Sequence, residues 1–340
     1  MITPRTNRLQ VKDVTPDNKE SWQWHLQHAI RRGSDLSDAL SLPLEDINTD
    51  FPLLVPRPYL ARIEPGNPRD PLLLQILPRQ EENLEVPGFT RDPVGESHLS
   101  DTPPGLLQKY TGRALVTLSG ACAINCRYCF RRHFPYEKHQ ASSENWQDIL
   151  TFLNQDDSLS EVILSGGDPL MVNDRRLAAL LRGIEAIPHI DTLRIHTRLP
   201  VVIPQRITAS LLESLAISQK QIVMVLHINH PNEIDLSVRT ATARLREVGI
   251  TLLNQTVLLQ GVNSDADTLY HLSKTLFGAG VLPYYLHALD RVAGAAHFDV
   301  DEKLGSSIVK ELQNTLPGYL VPRFVREESD APAKQWIAPR

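Results

Sequence analysis

The sequence predicts an α/β protein built around a partial barrel of six βα units. From residue 113 onward, short apolar runs rich in β-branched residues alternate with helical patterns, which is typical of parallel strands joined by crossover helices. A chain of 340 residues can hold such a core together with appended segments. We predict a mostly helical, irregular N-terminal lobe over 1–105, the barrel over 106–300 and a short C-terminal segment over 301–340.

The elements follow in order along the chain. Prolines interrupt most of the N-terminal lobe, whose best helical pattern spans 21–32, so this lobe is expected to wrap around the barrel. The six strand candidates are 114–119, 161–166, 192–197, 221–228, 250–258 and 282–289. Helical patterns lie between them near 143–154, 173–186, 208–218, 237–248 and 266–278. A helix at 306–315 precedes a tail that could fold back over the rim where the strands end, which is where barrels of this kind hold their chemistry.

Composition narrows the classes of function. A net charge of −5 provides no general field for attracting nucleic acid, so no direct nucleic-acid partner is expected. The first residues lack an apolar leader pattern and no run of eighteen apolar residues occurs, which favours a cytoplasmic protein without membrane contact. The chain has three cysteines, and all of them lie within one short loop. An odd number in one loop argues against a scaffold of disulfide bonds.

Cys122, Cys126 and Cys129 follow the first predicted barrel strand. Three thiolates in one loop can bind three corners of a cubane iron–sulfur cluster, and the fourth iron then stays open to a small molecule. Neighbouring side chains could shield the cluster or offset its negative charge; they are Tyr128, Phe130, Arg127, Arg131 and Arg132. The alternative is a zinc site that His133 completes.

Several motifs in order resemble the lysine 2,3-aminomutases of the radical S-adenosylmethionine superfamily, across about residues 50–334. They are CRYCFRRHF, ILSGGDPL, RLPVVIPQRIT, HINHPNEI, NQTVLLQGVN, LPYYLHALD and PGYLVP. The resemblance implies the partial (βα)6 barrel of that superfamily, a [4Fe-4S] cluster that binds S-adenosylmethionine and yields a 5′-deoxyadenosyl radical, and pyridoxal 5′-phosphate as a further cofactor.

The resemblance also implies roles for residues that bind the cofactors. Lys334 matches the lysine that binds pyridoxal phosphate covalently, although Ser329 to Ala333 replace the family's glycine-rich run. The residues matched to the phosphate are Lys109, Tyr110 and Arg113. Those matched to the methionyl amino group are Ser165, Gly166, Gly167 and Asp168, where the turn needs glycine and the carboxylate suits an ammonium group. Those matched to the adenosyl cavity are His227, His230 and Gln255; on their own, the two histidines are more typical of packed or hydrogen-bonded side chains.

For the substrate, the resemblance matches Arg131 to the carboxylate of lysine and Asp290 to its distal ammonium group. The second acidic position holds Glu327 where the family carries aspartate, and Asp330 is a nearby competitor. The chain is shorter than the aminomutases of lysine fermentation and is more similar to the bacterial group that makes (R)-β-lysine for elongation factor P. L-Lysine and a lysyl-tRNA-synthetase-like ligase are the implied partners.

Two other interpretations stay open. A related radical aminomutase could act on glutamate, arginine or another amino acid, although Asp290 favours a cationic substrate. A protein of another class, a zinc-stabilised binding protein for translation components, would use the three cysteines and a histidine structurally. Iron content and colour of anaerobically purified protein distinguish these classes.

Overall fold

The computed structural model describes residues 21–45, 47–96, 102–139, 141, 145–329 and 331–339. Asp330, named above as a competing acidic contact, lies outside these ranges, as does the first part of the helix predicted near 143–154.

A single open sheet organises the described residues. Its strands are β1 (Leu106–Leu107), β2 (Arg113–Ser119), β3 (Glu161–Gly166), β4 (Thr192–Thr197), β5 (Gln221–His227), β6 (Thr251–Val257), β7 (Leu282–His287), β8 (Arg323–Arg326) and β9 (Gln335–Trp336). They are hydrogen-bonded in the order of the chain, and β2 to β8 run parallel. The predicted partial barrel is therefore confirmed.

The tail makes the described sheet larger than the six predicted strands. Tyr285 of β7 pairs with Arg323, so β8 becomes a seventh parallel strand. The two edges are antiparallel, since β1 pairs with β2 and β9 pairs with β8. Because the outer strands contain only two residues each, sequence patterns of four or more residues could not reveal them.

Helices connect the parallel strands. Five lie near their predicted positions: α6 (Trp146–Gln155), α7 (Asp174–Glu185), α9 (Ala209–Ala216), α10 (Leu236–Glu247) and α11 (Ala266–Gly278). The short α8 (Leu199–Val202) after β4 was not predicted. Side chains of the preceding residues accept hydrogen bonds from the first turns of four of these helices; the caps are Asn173, Thr208, Asp235 and Asp265. After β7, α12 (Glu302–Thr315) begins four residues before its predicted start because Asp301 caps it.

The N-terminal lobe contains α1 (Trp22–Gln27), α2 (Gly33–Leu40), α3 (Arg57–Leu60) and α4 (Pro71–Leu74), and α5 (Tyr136–His139) follows the cysteine loop. The helix predicted over 21–32 was wrong in its second half. Ser21 caps α1 as the pattern requires, but Ile30 leaves the helix to form two backbone hydrogen bonds with Val55.

The apolar residues of this lobe belong to the same buried cluster as the strands and helices of the barrel. Leu36, Val55 and Leu72 are fully buried in it, as are Val116 of β2 and Ile195 of β4. The lobe thus packs its apolar side chains on the barrel, as expected for a segment without long elements; the proposed region boundaries stay a prediction. None of the helices in the described part is long and apolar enough to cross a membrane.

Candidate active site

A cavity of about 800 Å³ lies where the parallel strands end, and loops from both the barrel and the tail line it. Every predicted site residue lines this cavity except His230. His227 ends β5, and the chain then turns away, so the His230 ring lies elsewhere. There its Nδ1 accepts a hydrogen bond of 3.2 Å from the Asn232 amide and caps a short turn.

The cysteine loop and the end of β3 are joined by their backbones. The Gly167 amide donates to the Ser119 carbonyl (2.7 Å), and the Asp168 amide donates to the Ala121 carbonyl (3.0 Å). Gly166 has φ +120°, and a Cβ there would lie 2.5 Å from the Ser119 oxygen; a Cβ at Gly167 would lie 2.6 Å from that of Ala121. Both glycines are needed because no side chain fits between the two segments.

Two arginines of the cysteine loop are held by a carboxylate of the N-terminal lobe, and one of them, Arg132, also lowers the pKa of the Cys129 thiol, as expected for a cation that offsets thiolate charge. Arg127 and Arg132 both pair with the fully buried carboxylate of Glu82 in the N-terminal lobe. Arg127 also donates to the Phe51 carbonyl at 2.8 Å and to the Thr49 hydroxyl at 2.9 Å. The lobe therefore holds the loop through charged hydrogen bonds as well as apolar packing.

Arg131 lines the cavity, but a protein carboxylate occupies its guanidinium group. Its Nε and Nη2 donate to the two oxygens of Glu96 at 2.6 and 2.7 Å, and Nη1 donates to the Ser165 hydroxyl and the Gly166 carbonyl at 3.0 Å each. This is the two-pronged geometry in which arginine binds any carboxylate. Glu96 was missed by the sequence analysis, and no pattern in its segment identifies it.

The cation closest to the cysteines is Arg198, which the sequence analysis did not select. It follows β4 in the polar HTRLP segment, and its Nη1 donates to both Cys126 Sγ and the Tyr128 hydroxyl. Burial, followed by Cys126, raises the pKa of the Cys129 thiol to about 11. Arg131 and Arg132 oppose this rise, and a thiol must lose its proton to bind iron.

The three-cysteine donor set beside a buried cation fits an iron–sulfur cluster, in which each thiolate binds a different iron atom. Within the described ranges, no group of three or more histidine, cysteine, aspartate or glutamate side chains is arranged around one metal ion. His133, the fourth ligand of the zinc alternative, is held elsewhere. Its Nε2 lies 3.1 Å from the Ala293 carbonyl and its Nδ1 lies 3.6 Å from the Asp50 carboxylate.

Asp168 is buried and already bonded by protein groups. It accepts from the Thr197 hydroxyl at 2.8 Å and from the amides of Arg198, Leu199 and Leu170 at 2.8, 3.1 and 3.0 Å. Burial raises the pKa of Asp168 to about 6, although these hydrogen bonds oppose the shift. This carboxylate thus ties the β3 turn to β4, and its predicted contact with the methionyl amino group stays a prediction.

Glu327, which was matched to the substrate, contacts three residues that were matched to pyridoxal phosphate. Its carboxylate accepts from Lys109 Nζ at 2.8 Å, from the Tyr110 hydroxyl and from Lys334 Nζ. Burial would raise the pKa of Glu327, but Lys334 and these hydrogen bonds outweigh burial and hold it at about 2. Glu327 is thus an anion within a cationic cluster.

Two other charged groups in the cavity have no such partner. In the described part of the chain, no hydrogen bond or ion pair reaches the carboxylate of Asp290, and burial raises its pKa to about 7. The Arg113 guanidinium lies over the Tyr110 ring at 5.2 Å, and no described carboxylate pairs with it. One acidic and one basic side chain without an ion-pair partner among the described residues therefore face the same cavity, and Lys334 and Lys109 lower the pKa of the acidic one, Asp290, against the effect of burial.

Comparison with known proteins agrees with the motifs. The model of the 4Fe-4S single cluster domain matches residues 111–196, which include all three cysteines. L-lysine 2,3-aminomutase of Escherichia coli (strain K12) is 49% identical, covering 95% of this chain and 96% of that protein. The Haemophilus influenzae protein of that name is 47% identical, over 97% of this chain and 99% of that protein. The Clostridium subterminale protein is 31% identical, over 96% of this chain and 80% of that protein.

The chain belongs to the L-lysine 2,3-aminomutase family. Most motifs that carried the resemblance place residues at the cavity. Two of the groups that the sequence analysis missed, Glu82 and Glu96, lie outside the motifs in the irregular lobe, where no periodic pattern marks them. The third, Arg198, is the first residue of the RLPVVIPQRIT motif, but nothing local indicates its partner Cys126, which lies 72 positions away.

We expect Glu82→Gln to destabilise this family member strongly, because it leaves Arg127 and Arg132 buried without their carboxylate. Removing one member of a buried ion pair costs about 3–5 kcal/mol. Denaturant unfolding should show this loss, with reduced iron uptake. The matched control is Glu81→Gln at the neighbouring exposed position, which should unfold as the unchanged protein does; equal unfolding of both variants would contradict the role of Glu82.

Proposed function

We propose that the protein is a radical isomerase that converts L-α-lysine to (R)-β-lysine by moving the amino group from C2 to C3. The observation that carries this proposal is a single cavity that holds the three-cysteine loop together with Lys334, Arg113 and Asp290, the last two without an ion-pair partner among the described residues. A redox cluster, a covalent cofactor site, a cation for phosphate and an anion for an ammonium group are the components that the reaction needs.

The cofactors would be held by residues from different strand ends. Cys122, Cys126 and Cys129 would bind a [4Fe-4S] cluster whose fourth iron takes S-adenosylmethionine, and Lys334 would bind pyridoxal 5′-phosphate. Together these groups supply the radical and the conjugated system that lets nitrogen migrate, which no side chain can supply. Arg113 is the cation free to receive the phosphate, because Lys109 and Tyr110 are engaged with Glu327.

Asp290 supports a substrate with a distal ammonium group. A carboxylate at this site without a partner cation gains most from a cationic ligand, because the ligand's charge replaces lost solvation. Arg131 supports recognition of the substrate carboxylate, since its guanidinium already binds the carboxylate of Glu96 with two parallel hydrogen bonds. Glu96 would have to leave for lysine to take its place.

Glu327 supports the same substrate chemistry in another way. Its contact with Lys334 is an alkylammonium–carboxylate pair inside the cavity, the same chemistry that the end of a lysine molecule offers. Once Lys334 is bonded to its cofactor, this carboxylate oxygen would become available to the ammonium group of the substrate. The longer side chain of glutamate, compared with the family's aspartate, still reaches the cavity.

The biological role that we propose is supply of (R)-β-lysine for modification of elongation factor P, with hand-over to a lysyl-tRNA-synthetase-like ligase in the cytoplasm, where the factor acts. The support is the resemblance of the sequence motifs to the bacterial aminomutase group that makes (R)-β-lysine for this factor.

The decisive experiment is anaerobic reconstitution with iron and sulfide, followed by reductant, S-adenosylmethionine, pyridoxal phosphate and L-lysine. Chiral chromatography should detect (R)-β-lysine. Parallel reactions with arginine and glutamate test the other aminomutase activities, and product from either without β-lysine would overturn the assigned substrate. A colourless protein that contains zinc would overturn the radical chemistry itself.

We expect Lys334→Ala to abolish covalent binding of pyridoxal phosphate, because the family resemblance assigns the covalent bond to this lysine. The measurement is the visible absorption band of the bound cofactor, supported by mass spectrometry after borohydride reduction. Lys310→Ala, an exposed substitution in α12, should keep both signals. A reduced peptide labelled at another lysine of the Lys334→Ala protein would reassign the site.

Asp290 should make lysine binding depend on pH near neutrality. Its folded-state pKa is raised to about 7, so below this pH the side chain is neutral and attracts an ammonium group less. The KM for lysine should therefore rise as pH falls from about 8 to 6. Asp290→Asn should have a raised KM throughout and lose this dependence; an unchanged pH profile in Asp290→Asn would exclude Asp290 as the ammonium contact.

A further inference from the structure

Arg198 lies at the centre of a buried polar network that joins three parts of the protein. Its Nη1 donates to Cys126 Sγ and, at 2.7 Å, to the Tyr128 hydroxyl. Its Nη2 donates to the Gln75 side-chain oxygen at 2.7 Å and to the Glu233 carboxylate at 2.9 Å. One guanidinium group therefore connects a cysteine to the N-terminal lobe and to the loop after β5.

The surroundings hold this cation in one place. The Arg198 amide donates to Asp168, and the guanidinium carbon lies 5.5 and 5.8 Å from the ring centres of Tyr59 and Tyr128. Glu233 is fully buried and also accepts from the amides of Asn229 and His230 at 2.8 and 3.1 Å. Because both charges are buried and bonded by several groups, neither can turn toward solvent without losing these contacts.

We propose that Arg198 raises the reduction potential of the iron–sulfur cluster through its contact with the Cys126 sulfur, and that Glu233 moderates this effect. The inference rests on the proposed cluster. Reduction adds one electron, and a fixed positive charge beside a ligand sulfur stabilises the more negative state. The buried carboxylate of Glu233 opposes that stabilisation from the other side of the guanidinium group.

Arg198 is therefore a positioning residue for electron transfer and not a ligand of the cluster. Its place beside Cys126 also distinguishes this cysteine from the other two of the loop, because no described guanidinium group donates a hydrogen bond to Cys122 or Cys129. The potential that the cluster reaches would then depend on two residues outside the cysteine motif, one after β4 and the other after β5.

The test is an anaerobic redox titration of the reconstituted protein, followed by electron paramagnetic resonance of the reduced cluster, with dithionite as electron donor and without S-adenosylmethionine. We expect Arg198→Gln to shift the midpoint potential to more negative values and Glu233→Gln to shift it to more positive values. The double variant removes one charge of each sign, so its potential should lie between those of the single variants.

Arg206→Gln is the matched control. Arg206 is also fully buried, but it pairs with Asp174 and donates to the carbonyls of Leu170 and Val172 instead of a cysteine. It should lose stability without the shift seen for Arg198→Gln. Arg198→Lys keeps the charge, and its potential should lie closer to that of the unchanged protein than to that of Arg198→Gln.

The outcomes separate the two proposals. If the unchanged protein assembles no cluster, the proposed function fails; if full iron content accompanies equal potentials in Arg198→Gln and Arg206→Gln, only the role of Arg198 fails. A separate binding titration of Arg198→Gln with S-adenosylmethionine checks the alternative; weaker binding at an unchanged potential would make Arg198 a ligand-binding group and overturn the proposal. If Arg198→Gln does not assemble a cluster, the Glu233→Gln variant decides the question: a midpoint potential equal to that of the unchanged protein would overturn the proposal.

Discussion

The arrangement of the cavity depends on one buried carboxylate outside the barrel. Glu82 binds Arg127 and Arg132 on either side of Cys129, so it fixes the loop that carries all three cysteines. Two buried cations with one buried anion are stable only because carbonyl and hydroxyl groups of the lobe, including those of Phe51 and Thr49, satisfy further donors. The irregular N-terminal lobe is thus a part of the active-site scaffold.

The charges in the cavity fall into two classes, and the difference carries functional information. Arg131 and Lys334 are neutralised by protein carboxylates, whereas Arg113 and Asp290 have no described partner of opposite charge. An ion-pair partner within the protein lowers the free-energy cost of burying a charged side chain in the absence of a ligand. The two groups without an ion-pair partner mark where a ligand charge needs to displace no protein group, and the paired groups mark where a ligand must compete with Glu96 or Glu327.

The sequence predicted the parallel part of the fold closely because the period of its apolar residues depends on local geometry. The predicted strand at 161–166 and that at 192–197 match β3 and β4 residue for residue, and the helix at 266–278 matches α11. The two-residue edge strands and the break at Ile30 depend on contacts with distant segments. Local patterns contain no information on such contacts, so they could not be predicted.

The sequence likewise predicted which side chains face the cavity but not the groups that hold them in place. Motifs identified the groups that face the cavity, but hydrogen-bond partners are set by folding, so the saturation of Asp168 and the turn made by His230 were missed. Asp168 shows what this adds, because its carboxylate binds the amide of Arg198 while its own amide binds the Ala121 carbonyl of the cysteine loop. A single aspartate therefore fixes both the loop and the cation beside it, which makes the glycine-rich turn after β3 a determinant of the environment of Cys126.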